Sequence, residues 1–233
     1  MQKSKEILEK YWGHTSFRKN QYKIINLILK GKDTIALLPT GGGKSICYQV
    51  PSLIMEGICI VISPLISLIK DQVEDIRNRG IKAAAITSDM NYRQLDTVLT
   101  NCIYGDYKFL YLSPERLKND LVQKKISEMK VNLIAVDEAH CISQWGHDFR
   151  PSYRNISDIR QLSPQTPILA LTATATKKVI KDIQKNLKFS TENLIQSSLI
   201  RDNLSYIVIH EEKDSDKKKK LISILEKSSG STI

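Results

Sequence analysis

Two short clusters carry residue types suited to phosphate chemistry. The first is Pro39-Thr40-Gly41-Gly42-Gly43-Lys44-Ser45, which follows an apolar run at 34–38 and precedes a helical pattern. Glycines let the backbone wrap closely around phosphate oxygens, and amides at a helix start point toward an anion. Lys44 then reaches the outer phosphates of a nucleotide, and the Ser45 hydroxyl ligates Mg²⁺. The second cluster is Asp137-Glu138-Ala139-His140, delivered at the end of the apolar run 133–136. In an open α/β sheet the ligand crevice lies at that end of the strands. Asp137 is expected to orient the metal, and Glu138 to polarise the water that attacks the terminal phosphate.

Both clusters need a rigid frame, and the hydrophobic pattern supplies one. Short apolar runs at 34–38, 58–63, 82–86, 108–112, 133–136 and 168–172 read as strands buried on both faces. Amphipathic stretches alternate with them. Ile24, Ile25 and Ile28 recur at helical spacing from Gln21, with Gly31 placed as a C-terminal cap, and another stretch runs from about 65 to 79 and stops at Gly80. Alternation of this kind predicts an α/β fold whose mostly parallel central sheet has helices on both faces. After about Asn203 the pattern changes to a strand at 204–210, a charged connector at 211–220 and a helical run at 221–226. The expected organisation is therefore a domain over 1–203, followed by a linker and the start of a second lobe over 204–233.

Composition narrows the partners. The chain has 233 residues and a formal charge of +10, which favours a polyanion, because each phosphate contact releases condensed counterions. The first ten residues are polar and no apolar run is long enough to span a bilayer, so no membrane partner is expected and the cytoplasm is the expected compartment. Cys47, Cys59, Cys102 and Cys141 are far apart with no CxxC pair, and no zinc site is expected.

The strict phosphate-loop pattern places a glycine where Leu38 stands, and the form PTGGGKS instead resembles that of superfamily 2 helicases. With DEAH, followed by Cys141-Ile142-Ser143-Gln144-Trp145-Gly146-His147-Asp148-Phe149-Arg150-Pro151, the likeness becomes specific. That segment resembles the aromatic-rich loop of RecQ-family DNA helicases. Phe17-Arg18-Lys19-Asn20-Gln21 resembles their adenine-recognition motif. Segment 62–68 with Lys70-Asp71-Gln72 resembles motif Ia, and segments 111–117 and 171–175 resemble motifs Ib and III, so the likeness covers essentially residues 5–210, in order.

The resemblance implies a RecA-like P-loop NTPase lobe of a 3′→5′ DNA helicase in repair and recombination, with ATP and Mg²⁺ as cofactors. The implied nucleotide contacts are His14, Arg18, Gln21, Thr40, Gly41, Gly42, Gly43, Lys44 and Ser45. Gln21 would read the adenine edge and Arg18 stack on the base. His14 stands where the family usually has a second stacking tyrosine. Single-stranded DNA and duplex junctions, bound without regard to sequence, would be met or coupled to hydrolysis by Ser63, Pro64, Trp145, His147, Phe149, Arg150, Thr172 and Thr174. His140 is a candidate link from Glu138 to the 172–174 segment. A second RecA-like lobe supplies arginine fingers in such motors, so these residues alone are expected to hydrolyse ATP slowly.

Overall fold

A computed structural model describes residues 2–197 and 207–227. The chain falls into two compact units, Met1–Leu199 and Ile200–Ile233.

Seven parallel strands form the centre of the first unit. They are β1 (Thr34–Leu37), β2 (Ile58–Ile62), β3 (Ala83–Ile86), β4 (Phe109–Leu112), β5 (Val131–Val136), β6 (Ile168–Thr172) and β7 (Asn193–Gln196), in the order β3-β4-β2-β5-β6-β1-β7. Among the described residues eight α-helices surround them: α1 (Gln2–Trp12), α2 (Gln21–Leu29), α3 (Ile46–Ile54), α4 (Ile66–Asn78), α5 (Tyr92–Tyr104), α6 (Asp120–Glu128), α7 (Ile156–Leu162) and α8 (Lys177–Asn186). Residues alternate across the pleat. On one face Ile60, Ile62, Leu110, Leu112, Ile134 and Val136 pack against α5 to α8. On the other, Cys59, Val61, Phe109, Tyr111, Leu133 and Ala135 pack against α2 to α4. Burial on both faces explains why the strands read as unbroken apolar runs.

Six expected strands are present, each within a residue or two of its expected bounds. β7 is an addition: its residues alternate half-buried and exposed, a pattern suited to the edge it occupies beside β1. Asp33, just before β1, ties this edge together. Its carboxylate accepts Ile168 N–H at 2.9 Å and Ser190 N–H at 3.2 Å and pairs with Arg160 at 2.7 Å. The helix stops behave as expected, with Gly31 at φ 70° and Gly80 at φ 76° in left-handed conformation.

In the second unit the described residues correct two expectations. Residues 207–210 form no strand, and the charged stretch is helical from Asp214, so that a single helix α9 (Asp214–Lys227) includes the expected helical run 221–226. The expected domain boundary at 203–204, the first residues of the expected strand and residues after 227 lie outside the described residues.

Candidate active site

The loop between β1 and α3 is held by its own glycines. Gly42 N–H donates to Pro39 O at 2.9 Å, and Gly41 and Gly43 adopt φ of 74° and 73°. A Cβ at Gly43 would lie 2.4 Å from Gln21 Nε2, so this position excludes side chains sterically as well as conformationally. Gln21 is almost fully buried. Its Oε1 accepts Arg18 N–H at 2.8 Å and its Nε2 donates to Gly43 O at 3.1 Å, while the Arg18 guanidinium donates to Gly41 O. Both residues expected to meet the base therefore also brace the phosphate loop. Each Gln21 amide atom keeps one further hydrogen-bonding position. His14, Arg18, Gln21, Gly43 and Ser45 line one cavity of about 730 Å³, with Trp12 at its wall.

Across the sheet, β5 ends beside the loop because only β6 separates it from β1. Asp137 is 8% exposed, and burial, then the charge of Glu138, pushes its pKa up to about 6 against the opposing pull of Lys44. Its carbonyl accepts the buried Tyr153 hydroxyl at 2.9 Å, and its Oδ1 accepts Glu138 N–H at 3.0 Å. Glu138 is held at φ 46°, ψ 45°, a left-handed conformation that costs a non-glycine residue on the order of 1–2 kcal/mol. That turn aims its carboxylate back at the loop, where Lys44 Nζ lies 4.0 Å from Glu138 Oε1. The described residues contain no group of three His, Cys, Asp or Glu arranged to hold a metal ion. Mg²⁺ held by one carboxylate, one hydroxyl and substrate phosphates needs none, and a desolvated carboxylate in a phosphate-loop crevice fits such a cation.

Behind Glu138 a relay runs to β6. Thr172 donates its hydroxyl proton to Thr174 O at 3.0 Å, so its oxygen accepts from His140 Nδ1 at 2.9 Å. This assigns the proton to Nδ1, the nitrogen that also lies 3.3 Å from Glu138 Oε2. Burial depresses the His140 pKa despite the nearby carboxylate, which keeps the ring neutral at physiological pH. His147 stacks on His140 with centroids 4.1 Å apart. Gly146 lies against the His140 carbonyl, where a Cβ would come within 2.5 Å. Arg150 donates to Pro64 O at 3.3 Å and pairs with Asp148 at 3.1 Å, joining the aromatic loop to the segment after β2.

The structure thus brings together Lys44, Glu138, His140 and Thr172, and sets His147, Arg150 and Pro64 beside them. Trp145 stands 62% exposed, and Phe149 is half-buried under Arg154. Thr174 is exposed, whereas Ser63 is wholly buried with an unpartnered hydroxyl, so its side chain offers nothing to the surface. Sequence reasoning missed the layer beneath the loop. Tyr48, one turn into α3, hydrogen-bonds Tyr111 at 3.2 Å and Gln72 at 3.3 Å. Burial pushes its phenol well above the usual value, so it stays a neutral donor. Gln49, Asp75 and Arg79 on the cavity wall were also missed, since polar residues on helix faces carry no local signature, and Asp71, expected only within the segment resembling motif Ia, lines the same wall.

A phosphate loop and an acidic pair meeting over the carboxyl ends of parallel strands define a RecA-like nucleotide-binding domain. The fold agrees with that of solved helicases. The DUF1998 helicase MrfA superposes on 100% of this chain and 38% of its own at TM-score 0.70 and 18% identity. A hypothetical ATP-dependent RNA helicase from Sulfolobus tokodaii does so on 83% and 57% at TM-score 0.62 and 21% identity. Residues 18–183 match the DEAD/DEAH box helicase family, and the chain belongs to that family. It is similar to a probable ATP-dependent DNA helicase RecS of Bacillus subtilis, 43% identical over 99% of this chain and 46% of the relative. It is also similar to the ATP-dependent DNA helicase RecQ of that organism, 46% identical over 90% of this chain and 36% of the relative. The chain spans less than half the length of these curated relatives.

Proposed function

We propose that these residues are the ATP-binding lobe of a RecQ-type DNA helicase that moves 3′→5′ along single-stranded DNA in repair and recombination. The observation that carries the reading is the convergence of Lys44 on Glu138 at 4.0 Å, with His140 and Thr172 directly behind. The phosphate loop receives the triphosphate on its amides. Lys44 leaves Glu138 for the outer phosphates, and the freed carboxylate accepts a proton from the water that attacks the γ-phosphorus, while the bond to the β-γ bridging oxygen breaks. Ser45 and Asp137 would hold Mg²⁺, which supplies charge neutralisation at the phosphates. Thr40, Gly41 and Gly42 complete the cradle, and His14, Arg18 and Gln21 face the base. Pro64, Trp145, His147, Phe149, Arg150, Thr172 and Thr174 form or support the DNA side, with sequence-independent stacking on the exposed Trp145 ring. A second RecA-like lobe beginning near residue 204 would close over the nucleotide.

ATP hydrolysis measured with and without oligo(dT) or oligo(U) tests the reading. Stimulation by the DNA strand is expected. Glu138→Gln should lower turnover by on the order of 100-fold or more while sparing nucleotide binding, and Lys44→Ala should lose both. Preference for the RNA strand would move the proposal to an RNA motor of the same family.

A further inference from the structure

The aromatic loop hangs on a helix outside the segments assigned so far. After Ser143 the chain leaves the core, and Gln144, Trp145 and His147 are exposed. The Ser143 hydroxyl is buried. It accepts Trp145 N–H at 3.2 Å and donates its own proton to Asp182 Oδ2 at 2.6 Å, on α8. One turn earlier on the same helix, the Lys178 ammonium sits over the Trp145 ring, 3.0 Å from its centroid. The i, i+4 spacing puts both residues on one face of α8. That helix also follows directly on 172–174, where Thr172 holds His140 and through it faces Glu138. α8 therefore grips the loop at one point and adjoins the catalytic relay at another.

We propose that Asp182 is a positioning residue. By fixing Ser143 it holds Trp145, with Lys178 on its face, in the pose from which occupation by a DNA strand is transmitted to the nucleotide. This rests on the function proposed above. Without Asp182 the Ser143 hydroxyl proton has no acceptor in its buried setting, and the first turn of the loop loses its tie to α8. The loop would keep the Gly146 N–H bond to Ser143 O at 3.0 Å and the His147 stack, so loosening falls on Trp145 rather than on His140.

The quenching measurement uses this chain with Trp12→Phe, which leaves Trp145 as its one tryptophan, and the affinity measurement keeps Trp12, which lines the nucleotide cavity. Acrylamide quenching reads the pose of Trp145. Affinity for a non-hydrolysable Mg-ATP analogue, with and without oligo(dT), reads the coupling, expected to be at least about fivefold in the parent. Asp182→Ala should raise quenching and bring the coupling close to unity, with analogue affinity in the absence of DNA unchanged. Asp182→Asn retains an oxygen acceptor for Ser143 and should restore both readings. Ser143→Ala should match Asp182→Ala, and the double variant should be no worse than either. Unchanged quenching in Asp182→Ala overturns the proposal. So does an equal loss of affinity with and without DNA, or a failure of Asp182→Asn to rescue. A parent chain with no coupling sinks the DNA-helicase reading, while raised quenching in Asp182→Ala would still support the hold of Asp182 on the loop.

Discussion

At the scale of single residues the site is defined by charges placed where burial opposes them. Asp137 is nearly inaccessible and forms no ion pair among the described residues, while Lys44 pairs with Glu138. Its pKa of about 6 lies above the ordinary 3.8, so between those values the folded protein holds a proton that the unfolded chain has released. Stability therefore falls as pH rises through that window, and the full cost, on the order of 2–3 kcal/mol, is present at pH 7. Asp137→Asn removes the ionisation and keeps an oxygen for Glu138 N–H, so the protein without nucleotide should melt at a higher temperature at pH 7, and the gain should shrink toward pH 4. The same substitution should abolish the Mg²⁺ dependence of nucleotide binding. In the parent, Mg-nucleotide affinity should fall as pH drops through about 6, because protonation removes the carboxylate proposed to hold the metal. Calorimetric melting and nucleotide titration across pH check both, and a lower melting temperature for Asp137→Asn at pH 7 contradicts the assignment.

At the scale of elements, the turns that join strand to helix carry the geometry. Gly43→Ala would force a Cβ to 2.4 Å from the Gln21 amide, at a backbone angle that L-residues avoid. Nucleotide affinity should drop at least tenfold, equivalent to about 1.4 kcal/mol, with far less change in global stability, since the rest of β1 and α3 is untouched. Asp33→Ala should act in the opposite way. It strands Arg160 and frees two backbone donors at the remote end of β1, at a cost of about 3–5 kcal/mol in a denaturant titration. Nucleotide affinity of the remaining folded protein should be little changed. These contrasts also show what could be read from sequence. The phosphate loop and the acidic pair were legible because each is a contiguous run whose flanking strand and helix have their own pattern. β7 was not, because an edge strand of four residues with two half-buried positions lacks the apolar run that marked the others. Asp33, Tyr48 and Asp182 were missed for a different reason. Each acts across a long stretch of chain, as when Ser143 meets Asp182, and only the fold shows which partner it finds. For Gln21, the expected reading of the base was only part of the picture, because its amide already spans Arg18 and Gly43.

For the whole molecule, the excess of 35 Lys and Arg over 25 Asp and Glu sets how it meets a polyanion and not which sequence it prefers. Binding of this chain to single-stranded DNA should weaken log-linearly with salt, with a slope of about −0.7 for each phosphate neutralised, and oligonucleotides of different sequence should compete equally. Hydrolysis and strand separation are another matter. Among the described residues the ion-pair partners of Glu138 are Lys44 and His140 and include no arginine, and an arginine aimed at the transferred phosphate contributes on the order of 10³-fold or more in comparable motors. The 233-residue chain should therefore bind Mg-ATP, turn it over slowly and leave a tailed duplex intact. A longer protein carrying the second lobe should do both under the same conditions. A fluorescence unwinding assay on the two proteins side by side decides the matter. Rapid strand separation by the chain alone would mean that the catalytic cation is already present in this lobe, and that the relay through His140 and Thr172 completes the motor without a partner.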